Sequence, residues 1–308
     1  MVPPRLTVIQ GATASGKSGL AVALAQAWDA EIIGADSMQV FRGMTVGTAA
    51  PTQAEQGGVP HHLIGCWDPS ESVSVRRWSD AVDALIECHP ERRYVIVGGT
   101  NMWIRLWLQG QVGVPEVDEG VRQSLERFET EELYSSLKRL DPASAAVIHA
   151  RDRYRIVRTL AHFEQTGTPL SQARQAHGWG EPRHRCFRLG LLPQRAWLHE
   201  RINRRAEQMY RQGLVDEAVA LRSRYGAIRP LSVLGYRDAL ELADGGIDYE
   251  EALHRTRRDT RRYAKNQETW LRKEPLELLG EAGALCEEDA EVLAQRAIAL
   301  WSSSGLGT

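Results

Sequence analysis

Continuous apolar runs alternate with stretches of helical spacing in the N-terminal third of the chain. Apolar side chains that recur every three to four residues over 17–28 and 74–88 predict two amphipathic helices. Uninterrupted apolar runs predict strands that are buried on both faces, as in a parallel sheet. These runs lie at 5–10, 31–34 and 94–97, and strand periodicity returns at 185–191. The alternation predicts an α/β fold in which a parallel sheet is flanked by helices.

The pattern changes between residues 115 and 182. Apolar positions there follow helical spacing only, and no strand pattern interrupts them. We therefore predict an inserted all-helical domain at 114–183. The remaining residues, 1–113 and 184–308, would form the α/β core and its C-terminal helices.

The composition is that of a soluble globular protein. Hydrophobic residues make up 43% of the 308 residues, no apolar run is long enough to span a membrane, and no signal-peptide core is present. We expect a cytoplasmic monomer with no membrane association. The four cysteines are scattered singly, which argues against a disulfide framework or a structural zinc site. His61 and His62 would point in opposite directions on an extended segment, so we interpret them as loop residues rather than metal ligands.

The strongest motif follows the first predicted strand. Residues 11–18 fit the pattern G-x-x-x-x-G-K-[ST], and helical spacing begins directly after it, which predicts a P-loop NTPase-like sheet. In such a loop the backbone N–H groups converge on a phosphate, the lysine neutralises a phosphate oxygen, and the hydroxyl faces Mg²⁺. We predict binding of a diphosphate or a nucleotide such as ATP. The predicted binding residues are Gly11, Ala12, Thr13, Ala14, Ser15, Gly16, Lys17 and Ser18, with Ser18 as the Mg²⁺ ligand.

Two further segments end at the same edge of the predicted sheet. Asp36 follows the strand at 31–34, and Gly98-Gly99-Thr100 follows the strand at 94–97. Ligands of a parallel sheet bind outside the carboxyl ends of its strands, so Asp36 would lie beside the phosphate loop and is the leading catalytic candidate. The alternative is that Asp36 only caps the next turn, and position alone does not separate the two interpretations.

Basic residues concentrate in two stretches although the net charge of the chain is −2. Eight arginines and lysines lie within 255–273, against Asp259 and Glu268 only, and mostly apolar or uncharged positions trace the other face of the same predicted helix. Four more arginines lie within 151–158. A one-sided basic stripe is typical of a surface that binds a phosphate backbone, whereas a solvated face mixes both signs. We interpret the stripe at 255–273 as a nucleic-acid surface, and a solvated helix face is the alternative.

Several motifs together resemble one family, the bacterial tRNA dimethylallyltransferases, also called tRNA isopentenyltransferases. The matching segments run in order over about residues 6–272. They are the phosphate loop, Ala35–Met44 with its Asp-Ser-Met-Gln sequence, Val59–Leu63 with Pro-His-His-Leu, Gly98–Thr100, Arg155–Arg158, Leu234–Arg237 and Ala264–Arg272. The Asp-Ser-Met-Gln and Pro-His-His-Leu sequences are much more specific than the phosphate loop.

The resemblance implies a group-transfer reaction on RNA. The family moves a dimethylallyl group from dimethylallyl diphosphate to N6 of the adenosine 3′-adjacent to the anticodon of tRNA. On this resemblance the phosphate loop holds the diphosphate of the donor, and Lys17 and Arg205 neutralise the leaving group. Asp36 matches the general base of the family, and Thr100 matches a residue near the target base.

The resemblance also implies a tRNA partner that binds through its anticodon stem-loop, and the phosphate loop predicts Mg²⁺ as the cofactor. The segments that match tRNA-contacting stretches of the family, together with the basic stripe, give the predicted tRNA surface. Its residues are Asp36, Ser37, Met38, Gln39, Thr100, Arg122, Tyr154, Arg155, Ile156, Val157, Arg158, Gly235, Tyr236, Arg237, Arg258 and Arg262.

Two other functions stay open. A small-molecule kinase would share the phosphate loop and bind ATP, but it gives no reason for the basic stripe at 255–273. A non-catalytic, nucleotide-gated RNA-binding module would explain the stripe but gives no role to Asp36. The three functions differ in which donor is consumed only when RNA is present.

Overall fold

The computed structural model describes residues 2–110, 117–177, 182–279 and 290–304. The chain divides into two compact units, Leu106–Arg183 and the remainder, which comprises Met1–Arg105 and His184–Thr308. The predicted boundary between residues 113 and 114 lies outside the described residues. The structure divides the chain earlier, between residues 105 and 106. This boundary lies within the helix Asn101–Gln109.

A six-stranded sheet forms the centre of the first unit. The strands are β1 (Leu6–Gly11), β2 (Ala30–Gly34), β3 (His61–His62), β4 (Arg93–Gly98), β5 (Phe187–Leu191) and β6 (Glu277–Leu279). Their order across the sheet is β3-β2-β4-β1-β5-β6, and each pairing is parallel. β1 lies between β4 and β5 and is buried along its whole length, which explains its continuous apolar run. The predicted parallel α/β sheet is confirmed.

Helices connect the strands and build the second unit. They are α1 (Lys17–Trp28), α2 (Val75–Cys88), α3 (Asn101–Gln109), α4 (Glu119–Glu126), α5 (Thr130–Leu140), α6 (Pro142–Val147), α7 (Arg153–Thr166), α8 (Leu170–His177), α9 (Arg195–Arg211), α10 (Leu214–Tyr225), α11 (Tyr236–Ala243), α12 (Tyr249–Leu271) and α13 (Ala290–Ser303). A short 3-10 helix, Arg229–Ser232, precedes α11. Within the described residues, none of the helices combines the length and the apolar character that a membrane crossing needs.

The core of the first unit packs α1 against the sheet. Ile9 and Ile32 from the strands and Leu20 and Leu24 from α1 are at most 1% exposed and belong to one cluster. Trp301 of α13 closes the same cluster. Burial of this much aliphatic surface is the main stabilising contribution, at about 25 cal/mol per Å² removed from water. It fixes the end of α1 that carries the phosphate loop.

The register of the parallel pairs brings three loops to one edge of the sheet. Gln10 of β1 is paired with Gly98 of β4, and Gly34 of β2 is paired with Val97 of β4. The loops that follow β1, β2 and β4 therefore leave the sheet side by side. A Cβ atom at Gly98 would lie 2.0 Å from the carbonyl oxygen of Ala35, so only glycine lets two of these loops approach so closely.

The prediction that His61 and His62 lie in a loop is wrong, because they form the short edge strand β3. His61 is paired with Ile32 of β2. The two side chains have separate partners: His61 Nδ1 lies 2.8 Å from the carbonyl oxygen of Val59, and His62 Nε2 lies 2.7 Å from a carboxylate oxygen of Glu31. A strand of two residues is too short to produce a periodic pattern in the sequence.

The regular secondary structure of the second unit is helix only over its described residues, 106–110, 117–177 and 182–183, as the sequence predicts. Leu133 and Leu137 of α5 pack with Ile156 and Leu160 of α7 in one buried cluster. Aspartate side chains accept hydrogen bonds from the first turns of three helices and so fix where each begins. These N-caps are Asp118 before α4, Asp141 before α6 and Asp152 before α7.

Candidate active site

The phosphate loop joins β1 to α1 in a conformation that suits an anion. Ala14 and Gly16 adopt left-handed backbone conformations, with φ of 62° and 93°. Such positions turn successive N–H groups toward one concave side. Gly16 is the N-cap of α1, and because it has no side chain it leaves the first N–H groups of the helix uncapped. Those N–H groups and the positive end of the helix dipole favour a bound phosphate.

Two cations line the cleft at this loop. Lys17 is the first residue of α1, and its Nζ donates to a carbonyl oxygen of the loop at 3.3 Å. Arg205 of α9 donates to Thr13 Oγ1 at 3.3 Å and to the carbonyl oxygen of Ala49 at 3.5 Å. Burial and the charge of Arg205 lower the pKa of Lys17 to about 8, although Asp36 acts in the opposite direction. Positive charge exceeds negative charge here, so the cleft favours an anionic ligand.

Asp36 lies two residues after β2 and lines the same cleft as the two cations. Its Oδ1 accepts hydrogen bonds from the N–H groups of Met38 at 2.9 Å and Gln39 at 3.3 Å, so it does cap the following turn. Its Oδ2 accepts no hydrogen bond from the described part of the chain. Thr100 Oγ1 accepts from the N–H of Ser37 at 3.0 Å and holds the turn against the end of β4. One carboxylate oxygen is thus structural and the other is available for chemistry.

Part of the cleft lining is aliphatic. Ile32, Val97 and Ile64 lie there with Ala21 of α1. The same lining includes Pro51 and polar side chains such as Gln39, Thr48 and His61. A cleft with a cationic end and an aliphatic wall fits a ligand that carries phosphate on a short hydrocarbon chain.

A carboxylate on α10 anchors the loop that carries Thr48 and Ala49. Glu217 accepts hydrogen bonds from the N–H groups of Thr45, Val46 and Gly47 at 2.8–3.0 Å, and from the hydroxyl of Tyr236 at 2.6 Å. Tyr236 is 1% exposed. Tyr236, which the sequence predicts as a tRNA residue, therefore lies in the core. A direct tRNA contact from the segment 234–237 would have to come from its neighbours.

The basic stripe is less one-sided than its sequence indicates. Arg255 bonds to Glu251 and to Glu241, and Arg257 pairs with Glu207 of α9. Glu207 and Glu241 lie outside 255–273, on helices that the fold brings against α12. A count of charges within residues 255–273 does not include these two carboxylates. The net positive charge on this surface is therefore smaller than the sequence indicates.

Three predicted tRNA residues share one carboxylate, Asp259. Arg258 Nε lies 2.8 Å from it, Arg237 3.2 Å and Arg262 3.5 Å. Hydrogen bonds from Arg258 and Arg237 hold the pKa of Asp259 below its usual range. The side chain of Arg262 is 71% exposed, so it is the member of this group most available to a partner.

The predicted tRNA residues of the second unit divide by exposure. Ile156 and Val157 belong to the buried cluster of that unit, and they hold α7 in place. Tyr154, Arg155 and Arg158 are exposed on the same helix. Arg122 of α4 is 44% exposed and is paired with Glu119 and Glu126 on its own helix.

Sequence reasoning gave no role to two residues that organise the site, Glu217 and Gln267. Gln267 is buried and bonds to the phosphate loop and to the turn after β4. Its only sequence signal is its position within Ala264–Arg272, a segment that resembles the family. Nothing in the sequence around Glu217 distinguishes it from a surface residue of an amphipathic helix.

The parallel sheet, its strand order and the loop after β1 define a P-loop-like α/β fold with a cleft at the sheet edge that two cations line. A family described as IPP transferase matches residues 39–274, and one described as isopentenyl transferase matches residues 4–64. The chain belongs to the IPP transferase family. A tRNA dimethylallyltransferase of Symbiobacterium thermophilum is 44% identical over 277 residues, which cover 87% of this chain and 86% of that protein.

Solved structures agree with the family. The crystal structure of a full-length tRNA isopentenylpyrophosphate transferase from Bacillus halodurans is 34% identical, with a TM-score of 0.70 over 97% of this chain and 96% of that one. A eukaryotic dimethylallyltransferase acting on tRNA is 25% identical, with a TM-score of 0.82 over 97% of this chain and 79% of that one. The likeness therefore spans both compact units.

Proposed function

We propose that this protein transfers a dimethylallyl group from dimethylallyl diphosphate to N6 of the adenosine 3′-adjacent to the anticodon in certain tRNAs, and releases diphosphate. The observation that carries the proposal is the composition of one cleft: two cations, an uncapped helix N-terminus, a carboxylate and an aliphatic wall. The relatives that share the fold bear the names of enzymes with this activity.

The donor fits the cleft by chemistry. Its diphosphate would accept hydrogen bonds from the phosphate loop and face Lys17 and Arg205, whose charges stabilise the leaving group as the carbon–oxygen bond breaks. Its five-carbon chain would lie on the aliphatic wall that includes Ile32 and Val97.

The residues present fit Mg²⁺. The hydroxyls of Ser18 and Thr13 and the carboxylate of Asp36 line the cleft, and oxygen is the ligand that Mg²⁺ prefers. The described residues contain no group of three His, Cys, Asp or Glu side chains that could hold a metal, so the ion would be completed by water and the donor diphosphate. When bound, Mg²⁺ would neutralise charge that develops on the leaving diphosphate.

Asp36 would act as the general base. The exocyclic amine of adenine is barely basic, so it must lose a proton as its nitrogen bonds to the allylic carbon. The Oδ2 atom of Asp36 would take that proton while Oδ1 keeps the turn in place. The adenosine must be turned out of its stack to reach the cleft, and Thr100, which is bonded to Ser37, would lie near the target base.

The tRNA would bind over exposed basic side chains. In the first unit these are Arg262 of α12, with the partly exposed Arg258 on the same helix, and in the second unit Arg155 and Arg158 of α7. Contacts to the phosphate backbone position a nucleic acid without reading its sequence. A cytoplasmic monomer remains our expectation for an enzyme that acts on tRNA.

One experiment separates this function from the kinase and from the RNA-binding module. The protein is incubated with Mg²⁺ and a tRNA that carries adenosine next to the anticodon, with either labelled dimethylallyl diphosphate or labelled ATP. We expect the label of dimethylallyl diphosphate to enter tRNA, and a transcript with guanosine at that position to stay unlabelled. Consumption of ATP alone would favour a kinase, and binding of tRNA without consumption of either donor would favour the non-catalytic module.

A further inference from the structure

Gln267, near the end of α12, uses both ends of its side-chain amide inside the first unit. Its Oε1 accepts a hydrogen bond from the N–H of Thr13 in the phosphate loop at 2.8 Å. Its Nε2 donates to the carbonyl oxygen of Gly99 in the turn after β4 at 2.9 Å. The residue is 6% exposed, so these bonds do not compete with water.

A buried chain of polar side chains fixes Gln267 from behind. Asn101 Nδ2 donates to the backbone carbonyl oxygen of Gln267 at 3.2 Å, and Asn101 Oδ1 accepts from Gln10 at 3.1 Å. Arg188 donates to Gln10 at 3.1 Å and to Glu274 at 2.8 Å. This chain holds the backbone of α12 at Gln267. The orientation of the amide itself is fixed by its two partners, because the N–H of Thr13 can only donate and the carbonyl oxygen of Gly99 can only accept.

The space around the amide is filled as well. A Cβ atom at Gly99 would lie 2.3 Å from Gln267 Nε2, so the turn after β4 can approach the amide only because residue 99 is glycine. The amide is thus held by a hydrogen bond at each end and lies directly against the turn after β4. We therefore infer that the hydrogen bond from the N–H of Thr13 to Gln267 Oε1 is part of the fold, and that a phosphate oxygen does not replace Gln267 there.

The two partners of Gln267 belong to the two halves of the site. Thr13 lies in the loop that faces the donor. Gly99 precedes Thr100, whose Oγ1 holds Ser37 and so the turn that carries Asp36. The Gln267 amide is thus a direct side-chain connection between the donor loop and the turns of the acceptor side.

We propose that Gln267 is a positioning residue that sets the distance between the donor diphosphate and the base Asp36. This inference rests on the proposed function, because it assigns the two halves to donor and acceptor. A shift of about 1 Å between reacting groups can lower a rate about 10²-fold. Loss of the amide should therefore slow the chemical step far more than it weakens binding of either substrate.

The test compares Gln267→Met with Glu274→Gln. Gln267→Met keeps the length of the side chain and removes both polar ends. Glu274→Gln disturbs the same buried chain at its far end, where it touches neither loop. We expect a similar loss of a few degrees in Tm for both variants. The single-turnover rate should fall about 10²-fold for Gln267→Met and less than about threefold for Glu274→Gln, with the Kd for tRNA within twofold in both. Rates that fall in step with Tm in both variants would overturn the proposal.

A third variant, Gln267→Glu, gives a pH dependence that would not be expected if the role of Gln267 were purely structural. In Gln267→Glu the ionised carboxylate can still accept from Thr13 but cannot donate to Gly99. Protonation restores a donor, so the ratio of variant to wild-type rate should rise as pH falls from 8 to about 5.5, since burial raises the pKa of a carboxyl. A ratio that is constant with pH would contradict a donor role for the amide.

Hydrogen exchange separates failure of this inference from failure of the proposed function. In the free protein, amide exchange in peptides covering 10–18 and 96–103 should rise in Gln267→Met and stay near the wild-type rate in Glu274→Gln. Unchanged exchange in both peptides would overturn the connection itself. A wild-type protein that transfers no dimethylallyl group would overturn the proposed function, while the exchange comparison would still decide whether Gln267 joins the two loops.

Discussion

The donor cleft and helix α12 both concentrate positive charge, but they differ in how that charge is balanced. In the cleft, Lys17 and Arg205 lie with the carboxylate of Asp36, Glu55 also acts on Arg205, and burial lowers the pKa of Lys17 to about 8. On α12, four arginines have carboxylate partners on their own or neighbouring helices: Arg255, Arg257, Arg258 and Arg262.

The difference shows which positive charge requires a ligand. Partly buried cations without enough counter-ions raise the electrostatic free energy of the free protein. A bound diphosphate would lower it. Exposed cations that already have partners gain little from a further anion, because each new contact replaces an existing one. We therefore expect changes in the cleft to have large effects on the reaction, and changes on α12 to have small effects on binding.

The largest effect should come from Asp36→Asn. The amide can still accept hydrogen bonds from the turn but cannot take a proton, so kcat should fall about 10²–10⁴-fold, the usual range for general-base catalysis. Binding of donor and tRNA should survive. Single-turnover alkylation and separate binding titrations measure the two effects.

Asp68→Asn is the matched control for Asp36→Asn. Asp68 also caps a turn, by accepting from the N–H of Ser70 at 3.0 Å, but it does not line the cleft. Its substitution should leave the rate unchanged. Loss of donor binding in Asp36→Asn when Mg²⁺ is present would mean that the carboxylate holds the metal, and an unchanged rate would reduce Asp36 to a turn residue.

Lys17→Ala should have the next largest effect. It removes a charge that faces the leaving diphosphate, so kcat/KM should fall between about tenfold and 10³-fold. Lys138→Ala, in the second unit, is the control for loss of a lysine and should have no effect. A loss below about tenfold, which corresponds to about 1.4 kcal/mol of transition-state stabilisation, would argue against a diphosphate in this loop.

The sequence predicted the parts of this site that depend on local pattern. Buried strands such as β1 and β4 appear as apolar runs because both of their faces are covered, and the phosphate loop is recognised because its backbone conformation needs glycine and its charge needs lysine. Strands β3 and β6, of two and three residues, are too short to show a pattern.

Contacts between distant residues could not be predicted in this way. Thr13 and Gln267 are 254 positions apart, and their hydrogen bond exists only because the fold brings α12 to the phosphate loop. The counter-ions of α12 were missed for the same reason, since Glu207 lies 50 positions before its partner Arg257. Hydrogen bonds and ion pairs between elements depend on packing that no periodic pattern records.

The pH dependence of donor binding tests whether the positive charge of Lys17 faces the donor. Lys17 loses its proton above pH 8 in the free protein. A bound diphosphate favours the protonated amine, so binding above this pH must take up a proton and weakens as pH rises. At constant Mg²⁺, donor Kd should be about tenfold larger at pH 9 than at pH 7, because the charged fraction falls about tenfold per unit above the pKa.

Lys17→Arg is the control for that titration. A guanidinium stays charged throughout this range, so donor affinity in this variant should change little between pH 7 and pH 9. Equal slopes for the wild type and for Lys17→Arg would assign the pH dependence to another group.

The smallest effects should come from α12, and there the sign of the change is more informative than its size. Asp259→Asn removes the carboxylate shared by Arg237, Arg258 and Arg262. If these arginines meet tRNA, freeing them should tighten binding about two- to threefold, whereas Arg262→Ala should weaken it about threefold and lower the salt slope of log K by about one unit.

Arg255→Ala tests the same idea from the other direction. Arg255 bonds to Glu251 and Glu241, so its loss should change the affinity for tRNA less than the loss of Arg262 does, although both changes remove one positive charge. Affinity measured at several salt concentrations distinguishes the two. Equal losses would mean that the net charge of the helix is what tRNA senses. Unequal losses would mean that tRNA contacts the cations that the fold leaves exposed, because a paired arginine must first give up its carboxylate.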